Sequence, residues 1–344
     1  MPQTQSPKRK PVIGLCGFYG HGNYGDELFL DVHKQTLGAD FDLKIIPSLL
    51  EKPYFERPLA ELVAGVDAIL IGGGDLVRPW GVDVRYFHRL YLTKPVFIAG
   101  VGVPVTIRPD GSEQETPHSI NKYREFFCHP NVKFLNVRDP ASRTWMLEKI
   151  DPDLNVIESP DLVCALDLPP VTRPAGPKIL GLATRDRPGH VDDYSQLDAL
   201  AAHAMAEGWK IRHIILGNGV TGRRDMANSL RLNIPGKETV YSESLDDMSR
   251  AIGECSALAS MKFHGSVVAT MYNVPSVVLV PTMKNVSFMK RIGREELVSR
   301  FDANLVDLFT PFPAPHAPEA IAELRQRAAG MLQQLKDALV QALC

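Results

Sequence analysis

The second half of the chain places basic and polar residues directly after several short apolar runs. Cations at such positions can bind an anion, and a helix that begins there adds unpaired N–H groups with partial positive charge. The stretch MKFHGS combines both features, because it carries a lysine and a histidine where a helix is predicted to begin. A single basic loop residue is more often solvated, but several on one sheet edge favour an anion site. Its candidate residues are Arg185, Lys262, His264, Ser266, Lys284 and Asn218.

The first half carries acidic and amide side chains at corresponding positions. In GFYGHGNYGDELFL, Asn23 lies among four glycines, and Asp26 and Glu27 follow them. Asp75 follows the run AILIGGG, and Arg138 follows FLNV. Carboxylates and amides suit hydroxyl groups better than phosphate, because sugars need hydrogen-bond acceptors as well as donors. We therefore predict that the glycine-rich turn and these side chains form a sugar-contacting floor.

Asp26 also has a purely structural interpretation. Aspartate is well suited to accept a hydrogen bond from the first turn of a helix, so Asp26 would cap a helix that begins at Glu27. A cap that is satisfied in this way needs no ligand. The sequence leaves both roles open.

Several familiar motifs are excluded. The spacing of the glycines in GHGNYG matches a dinucleotide fingerprint by letter, but the second predicted strand ends in KIIPS without the acidic residue that binds ribose. No Walker A lysine follows the glycines, and neither H-E-x-x-H nor G-x-S-x-G occurs. No C-x-x-C pair exists among the five scattered cysteines, which indicates free thiols in a reducing compartment. We predict no metal site.

The composition is that of a soluble cytosolic protein. The 344 residues carry a formal net charge of −2, with 23% charged residues. No basic field indicates a nucleic-acid partner. No apolar run approaches the roughly 18–20 residues that span a bilayer, and the basic N-terminus does not resemble a signal peptide.

Apolar β-branched runs alternate with helical patterns along the chain, which is typical of parallel sheets covered by helices on both faces. Strands are predicted at PVIGLCG, DLKIIP, VDAILIGGG, PVFIAGVG, VKFLNVRD, LNVIES, KILGLATR, WKIRHIILG, ETVYS, ALASM and SVVLVP. Helices in the first half are predicted near residues 26–37, 58–64, 83–92, 119–128 and 140–149. This pattern predicts an α/β protein with two doubly wound Rossmann-like domains that face a cleft.

A proline-rich stretch, LPPVTRPAGP, divides the two halves, because proline cannot take part in a central strand. The predicted organisation is a disordered tail over residues 1–10, an N-terminal domain over 11–168, a linker over 169–177, a C-terminal domain over 178–310, and a proline-rich entry with a C-terminal helix over 311–344.

Five blocks, in order, resemble the polysaccharide pyruvyl transferase family. They are GFYGHGNYGDE, ILIGGGDL, NVRDPASRTWM, SPDLVCAL and MKFHGSVVATMYNVPSVVLVPTMKNVSFMKRIG. The resemblance covers most of residues 12–293 and implies a GT-B-like fold. It also implies transfer of a carboxyvinyl group from phosphoenolpyruvate to a sugar, which gives a pyruvate ketal. Phosphoenolpyruvate is then a co-substrate, and no other cofactor is expected.

The resemblance gives the candidate residues roles. His264 is the candidate acid, and Asp26 is a candidate base. Lys262 stands where the family usually has arginine, which keeps the charge but loses the bidentate fork. The predicted donor-binding residues are Arg185, Lys262, Ser266, Lys284 and Asn218, and the predicted acceptor-binding residues are Asn23, Glu27, Asp75 and Arg138.

The implied acceptor is a saccharide or a lipid-linked oligosaccharide of polysaccharide biosynthesis. A lipid-linked acceptor would bring this cytoplasmic protein to the inner face of the membrane, with peripheral contact at most. The alternative is a GT-B glycosyltransferase that uses a nucleotide sugar. Those enzymes usually carry a ribose-binding glutamate seven residues before the proline of this motif, and here Val268 holds that position before Pro275. A sugar-binding module without catalysis would not need a cationic second domain.

Overall fold

The computed structural model describes residues 9–46, 57–108, 110–173, 175–187 and 189–344. Of the tail predicted over residues 1–10, residues 1–8 lie outside the described residues. No helix in the described ranges is long and apolar enough to cross a membrane.

The first sheet contains six parallel strands in the described residues. They are β1 Val12–Cys16, β2 Asp42–Ile45, β3 Ala68–Gly74, β4 Val96–Val101, β5 Val132–Val137 and β6 Ile157–Glu158. Their order in the sheet is β2-β1-β3-β4-β5-β6. Strands β3 and β4 are buried along their whole length, which explains their continuous apolar sequence.

Four α-helices accompany this sheet in the described part of the chain. They are α1 Tyr24–Leu37, α2 Leu59–Ala64, α3 Pro117–Phe127 and α4 Pro140–Trp145. A π-helical turn over Met146–Ile150 continues α4, so the helix predicted over 140–149 is present but irregular.

The helix predicted over 83–92 is wrong. Only a 3₁₀ helix over Arg89–Thr93 forms there. The carboxylate of Asp83 accepts a hydrogen bond from the Arg85 amide at 3.0 Å, and the ring of His88 accepts one from the Leu90 amide at 3.1 Å. Such local side-chain bonds stabilise turns in competition with an α-helix.

The second sheet contains five parallel strands among the described residues. They are β7 Ile179–Ala183, β8 Lys210–Ile214, β9 Glu238–Val240, β10 Ala257–Ser260 and β11 Ser276–Val278. Their order is β11-β10-β7-β8-β9. The helices of this half are α5 Ser195–Ala206, α6 Gly219–Ser229, α7 Leu245–Gly253, α8 Phe263–Met271, α9 Met283–Arg291, α10 Leu305–Leu308 and α11 Pro318–Leu343.

All eleven predicted strands are therefore present, in two parallel sheets, and the predicted fold class is confirmed. One apolar core runs from the first sheet into the second, with Phe29 of α1 and Val267 of α8 both fully buried in it. Helix α11 returns to the first sheet, where Lys336 forms an ion pair of 2.6 Å with Asp40. The boundaries assigned to the domains remain predictions.

Candidate active site

A polar cavity of about 320 Å³ lies between the two sheets. It lies at the carboxyl ends of strands from both sheets, as expected for ligand sites in open α/β folds. Its lining residues are Asn23, Tyr24, Gly25, Asp75, Arg185, Asp186, Thr221, Asp225, Met261, Lys262, Phe263, His264, Val280, Thr282, Lys284 and Asn285.

The N-termini of three helices meet at this cavity. Helices α1, α8 and α9 each contribute residues of their first turn to its lining. Within the described residues, no side chain caps any of these three N-termini. The first amides of a helix lack an intrahelical acceptor and carry partial positive charge. Three such ends in one cavity form an environment for an anion.

Arg185 adds a full positive charge to this environment. Its guanidinium has no ion-pair partner in the described part of the chain, and its Nε atom is buried without a hydrogen-bond partner. Burial lowers the pKa of Arg185, and the neighbouring Arg187 lowers it further. Asp225 and Asp192 offset this only in part, and a partly buried cation without an ion-pair partner is stabilised when a ligand supplies negative charge. The predicted place of Arg185 at an anion site is therefore consistent with its surroundings.

Both lysines at the cavity are already paired. Lys262 forms an ion pair of 2.5 Å with Asp225 and donates to the Leu216 carbonyl at 2.7 Å. Since an ammonium group has three donors, Lys262 keeps one for a ligand. Lys284 forms an ion pair of 2.7 Å with Asp75, which belongs to the other half of the chain.

Asp75 and Arg138 belong to one buried charge network. Arg138 is only 4% exposed and contacts Asp75, with Asp139 at 3.8 Å and Asp161 at 3.9 Å. Burial would raise the pKa of Asp75, but Lys284 and Arg138 outweigh it and hold that pKa well below its usual range. Arg138 does not line the cavity. The structure therefore places Arg138 behind Asp75, where it supports that carboxylate.

Asp26 is not a helix cap. Helix α1 begins at Tyr24, so Asp26 lies within its first turn, and Asn23 holds the N-cap position. The carboxylate is 8% exposed and lies behind the cavity lining, against Gly74. Burial raises the pKa of Asp26 to about 6, although electrostatic interactions with His264 and Lys284 partly offset this. The capping interpretation is thus overturned, because the helix starts earlier than expected.

Glu27 has a structural role in the glycine-rich turn that precedes it. Its Oε1 accepts hydrogen bonds from the amides of Gly20 at 2.8 Å and Gly22 at 3.0 Å. Burial raises the pKa of Glu27, and these backbone bonds oppose the shift. Glu27 therefore holds the turn together and does not line the cavity.

The glycines of this turn permit close contact between the two halves of the molecule. A Cβ on Gly22 would overlap the Asn218 carbonyl, and one on Gly25 would overlap Nδ1 of His264. The amide of Asn218 donates to the Gly22 carbonyl at 2.9 Å. The sequence predicts that this turn contacts a sugar. In the structure, Gly22 and Gly25 instead contact the second half of the chain.

His264 lines the cavity at the start of α8. Its ring contacts Phe29 edge-on, with 5.7 Å between ring centroids. Its Nε2 atom lies 3.3 Å from Oδ2 of Asp161. Asp161 is fully buried in the loop that leads from β6 to a 3₁₀ helix over Leu162–Ala165.

The remaining candidates divide into two groups. Asn23 lines the cavity, where its backbone bridges to Gly217 of the second half. Ser266 is buried and accepts a hydrogen bond from Ser276 at 2.9 Å, and Asn218 donates to the Glu243 carbonyl at 3.1 Å. Neither Ser266 nor Asn218 lines the cavity.

Sequence reasoning missed several residues of the site. Asp161 and Asp225 pair with two of the candidate residues, and Thr221, Thr282 and Asn285 line the cavity. Asp161 stands in the block SPDLVCAL that carried the family resemblance, and that block was the available signal.

Replacement of Gly25 tests whether its contact with His264 holds the two halves together. We expect Gly25→Ala to destabilise the protein by about 1–3 kcal/mol, the usual range for overpacking a well-packed site. Thermal unfolding measures the change. Gly330→Ala in exposed α11 is the control, because its Cβ would meet open space and alanine is the better helix former. Equal melting temperatures for Gly25→Ala and the wild type would show that this contact is not needed.

The fold is similar to that of several solved structures. UDP-N-acetylglucosamine 2-epimerase from Rickettsia bellii aligns with a TM-score of 0.59 and 12% identity, over 97% of each chain. The calicheamicin glycosyltransferase CalG4 aligns with a TM-score of 0.53 and 12% identity, over 97% of this chain and 98% of that one. The glycotransferase of kitacinnamycin aligns with a TM-score of 0.52 and 11% identity, over 98% of this chain and 100% of that one. Identities this low show the fold alone, which is that of GT-B glycosyltransferases and epimerases.

The family follows from the sequence match. The family model for polysaccharide pyruvyl transferase matches residues 23–282, which is more than half of the chain. The chain therefore belongs to the polysaccharide pyruvyl transferase family, as the resemblance implied, and it is a transferase with a saccharide acceptor. Comparison with curated proteins gives no significant match.

Proposed function

We propose that the protein transfers a carboxyvinyl group from phosphoenolpyruvate to two hydroxyl groups of a saccharide and forms a pyruvate ketal. The observation that carries this proposal is the meeting of three uncapped helix N-termini with the unpaired Arg185 in one cavity. Membership of the family supports the reaction class.

The size of the cavity favours a small donor. At about 320 Å³ it lies at the lower end of the roughly 300–1,000 Å³ typical of ligand sites. Phosphoenolpyruvate is compact and carries two anionic groups, which suits clustered cations and helix N-termini. A nucleotide sugar also needs a partner for its ribose hydroxyls, and the position that would supply one is Val268, which is fully buried.

The proposed reaction balances in atoms and charge. Protonation of the donor methylene makes C2 electrophilic, and the first sugar hydroxyl adds there and loses its proton. The bond between C2 and the bridging oxygen then breaks, and inorganic phosphate leaves. The second hydroxyl closes the ketal and releases its proton. One of the two hydroxyl protons ends in the new methyl group, and the other leaves with phosphate.

The proposed roles follow from position and charge. Arg185 and the remaining donor of Lys262 bind the carboxylate and phosphate of the donor. His264 supplies the proton or stabilises the departing phosphate, since it lines the same cavity. Asp26 is the proposed base, because it follows the lining residue Gly25 directly in α1 and a pKa near 6 suits a group that must accept and release a proton near neutrality. Asp75 is less suited, because Lys284 and Arg138 hold its pKa well below its usual range, which makes it a weak base.

The proposed acceptor binds at the first-half side of the cavity, at Asn23 and Asp75. We propose a saccharide or a lipid-linked oligosaccharide as the acceptor of this cytoplasmic protein, and a lipid-linked acceptor would bring it to the inner face of the membrane. Since Arg185, Lys262 and Lys284 supply positive charge, we propose that the reaction needs no metal and no cofactor besides the co-substrate.

Donor binding tests the proposal directly. We expect phosphoenolpyruvate at millimolar concentration to raise the melting temperature, because a ligand that binds only the folded state stabilises it. UDP- and GDP-sugars should have no effect. A shift with a nucleotide sugar and none with phosphoenolpyruvate would reject the proposed donor in favour of glycosyl transfer.

Arg185 should account for much of that binding. We expect Arg185→Ala to weaken phosphoenolpyruvate binding by roughly 1.5–3 kcal/mol, as for loss of a hydrogen bond to a charged group. Titration calorimetry measures the change. The matched control is Arg187→Ala, since Arg187 pairs with Asp192 and lies outside the cavity lining. Equal losses in both variants would mean that the general charge of the loop, and not Arg185, binds the donor.

A further inference from the structure

Asp161 has an unusual environment for a carboxylate that takes no part in the proposed chemistry. Its Oδ1 accepts a hydrogen bond from the Val163 amide at 3.0 Å. Its Oδ2 faces Nε2 of His264 at 3.3 Å and NH1 of Arg138 at 3.9 Å. Both Oδ2 and Nε2 are buried, and neither atom has a hydrogen-bond partner in the described residues. The imidazole and the carboxylate therefore have each other as polar neighbours.

The orientation of the ring separates its two nitrogen atoms. His264 lines the cavity, but its Nε2 atom is enclosed against Asp161. The Nδ1 atom lies on the opposite side, against Gly25, which itself lines the cavity. Of the two ring nitrogens, Nδ1 is therefore the one that is not enclosed against Asp161.

We propose that Asp161 is the positioning residue of His264, and that its carboxylate holds Nε2–H inward so that Nδ1 exchanges the proton with the substrate. A carboxylate that accepts from one ring nitrogen fixes the tautomer and stabilises the protonated imidazole. The inference rests on the proposed function for the identity of the substrate, but its geometry does not depend on it.

This pair joins the two halves of the molecule. Asp161 precedes the linker, whereas His264 starts a helix of the second sheet. The imidazole is thus aligned only while α8 packs against the first half of the chain. Burial would raise the pKa of Asp161, but His264 and Arg138 outweigh it and lower that pKa. The carboxylate is therefore ionised and can accept a hydrogen bond from Nε2–H.

The charged groups around His264 come from several elements. Asp161 faces it from the loop after β6, with Arg138 behind, and Asp26 acts on it from α1. Lys262 precedes it on its own helix, and Lys284 of α9 acts on the same Asp26. Asp161 is the member of this set that lies within ion-pair distance of the ring.

The test is the neutral isostere Asp161→Asn, with phosphate release from phosphoenolpyruvate followed from pH 5.5 to 9. We expect kcat to fall about 100-fold while KM for phosphoenolpyruvate changes by less than about threefold, because the orienting group does not touch the donor. The alkaline limb of the pH profile should move about one unit to lower pH, since an opposite charge within roughly 4–6 Å favours the protonated ring. A purely structural role would not move that limb.

Asp139→Asn is the matched control. Asp139 is also buried and lies 3.8 Å from Arg138, but its Oδ1 caps α4 through the Ser142 amide, which asparagine can also do. We expect its kcat and pH profile to stay close to wild type. An unchanged pH profile in folded Asp161→Asn would overturn the proposal.

A second measurement is independent of folding in the variant and of the donor. ¹⁵N-histidine NMR of the wild-type protein reports which ring nitrogen carries the proton, and His264→Gln assigns the signal. We expect the neutral ring of His264 to carry its proton on Nε2, and a proton on Nδ1 would reject the proposal. If wild-type protein releases no phosphate from phosphoenolpyruvate, the proposed function fails, while the tautomer still tests the role of Asp161.

Discussion

Replacement of His264 by alanine should lower turnover with phosphoenolpyruvate by about 10²–10⁴-fold, the usual effect of losing a general acid or base. The ring lines the cavity at the N-terminus of α8, where the donor is proposed to bind. Donor affinity should fall much less, because Arg185 and the helix N-termini remain. Steady-state phosphate release, together with calorimetric donor binding, separates the two effects.

The control for this variant is His316→Ala. His316 is also buried, at 3% exposure, but it lies beside Arg294 and away from the cavity lining. Its loss should lower stability without a comparable loss of turnover. If His264→Ala kept more than about a tenth of wild-type turnover, the ring would not be the acid.

Asp26→Asn should abolish most turnover and yet stabilise the protein at neutral pH. As the proposed base, Asp26 should contribute about 10²–10⁴-fold to turnover. Its folded-state pKa of about 6 lies above the ordinary value of 3.8, so the ionised form is the one that folding disfavours. The free-energy cost of burying the ionised carboxylate is absent at low pH. It grows as the pH rises from 3.8 to about 6 and is complete above about pH 6. Its upper limit is roughly 3 kcal/mol for a shift of about two units.

Thermal unfolding at pH 5 and pH 8 measures this effect, and the gain in Asp26→Asn should be larger at pH 8. Asp75→Asn is the control with the opposite sign, because the depressed pKa of Asp75 stabilises the folded state at neutral pH and loses that effect in acid. If Asp26→Asn lowered stability at pH 8, the carboxylate would be making favourable contacts that outweigh its burial. If that variant kept full turnover, the base would have to be another group.

These opposite signs show how function and stability separate at the cavity. Asp75 is neutralised by Lys284 and Arg138, so it stabilises the contact between the two halves. Asp26 has no ion-pair partner among the described residues, which is costly for a buried carboxylate. Buried carboxylates with a raised pKa, such as Asp26, are typical of functional sites.

The sequence by itself determined the strands, their parallel sheets and the family. Each of these follows from short-range pattern: buried parallel strands need continuous apolar runs, and the family blocks are contiguous in the chain. It also placed Arg185, Lys262, His264 and Lys284 at strand ends, and the structure brings all four to one cavity. The helix over 83–92 failed because local hydrogen bonds of Asp83 and His88 favour turns.

The tertiary structure alone decided which polar groups face a ligand and which face one another. Glu27 satisfies the turn amides, Arg138 is enclosed by carboxylates, and Asp161 meets His264 from more than a hundred residues away in the chain. Residue type is the same for a carboxylate that binds a ligand and for one that neutralises a buried cation. The difference lies in burial and in partners brought near by packing of distant elements, and these set the charge, the pKa and the accessible atoms of each group.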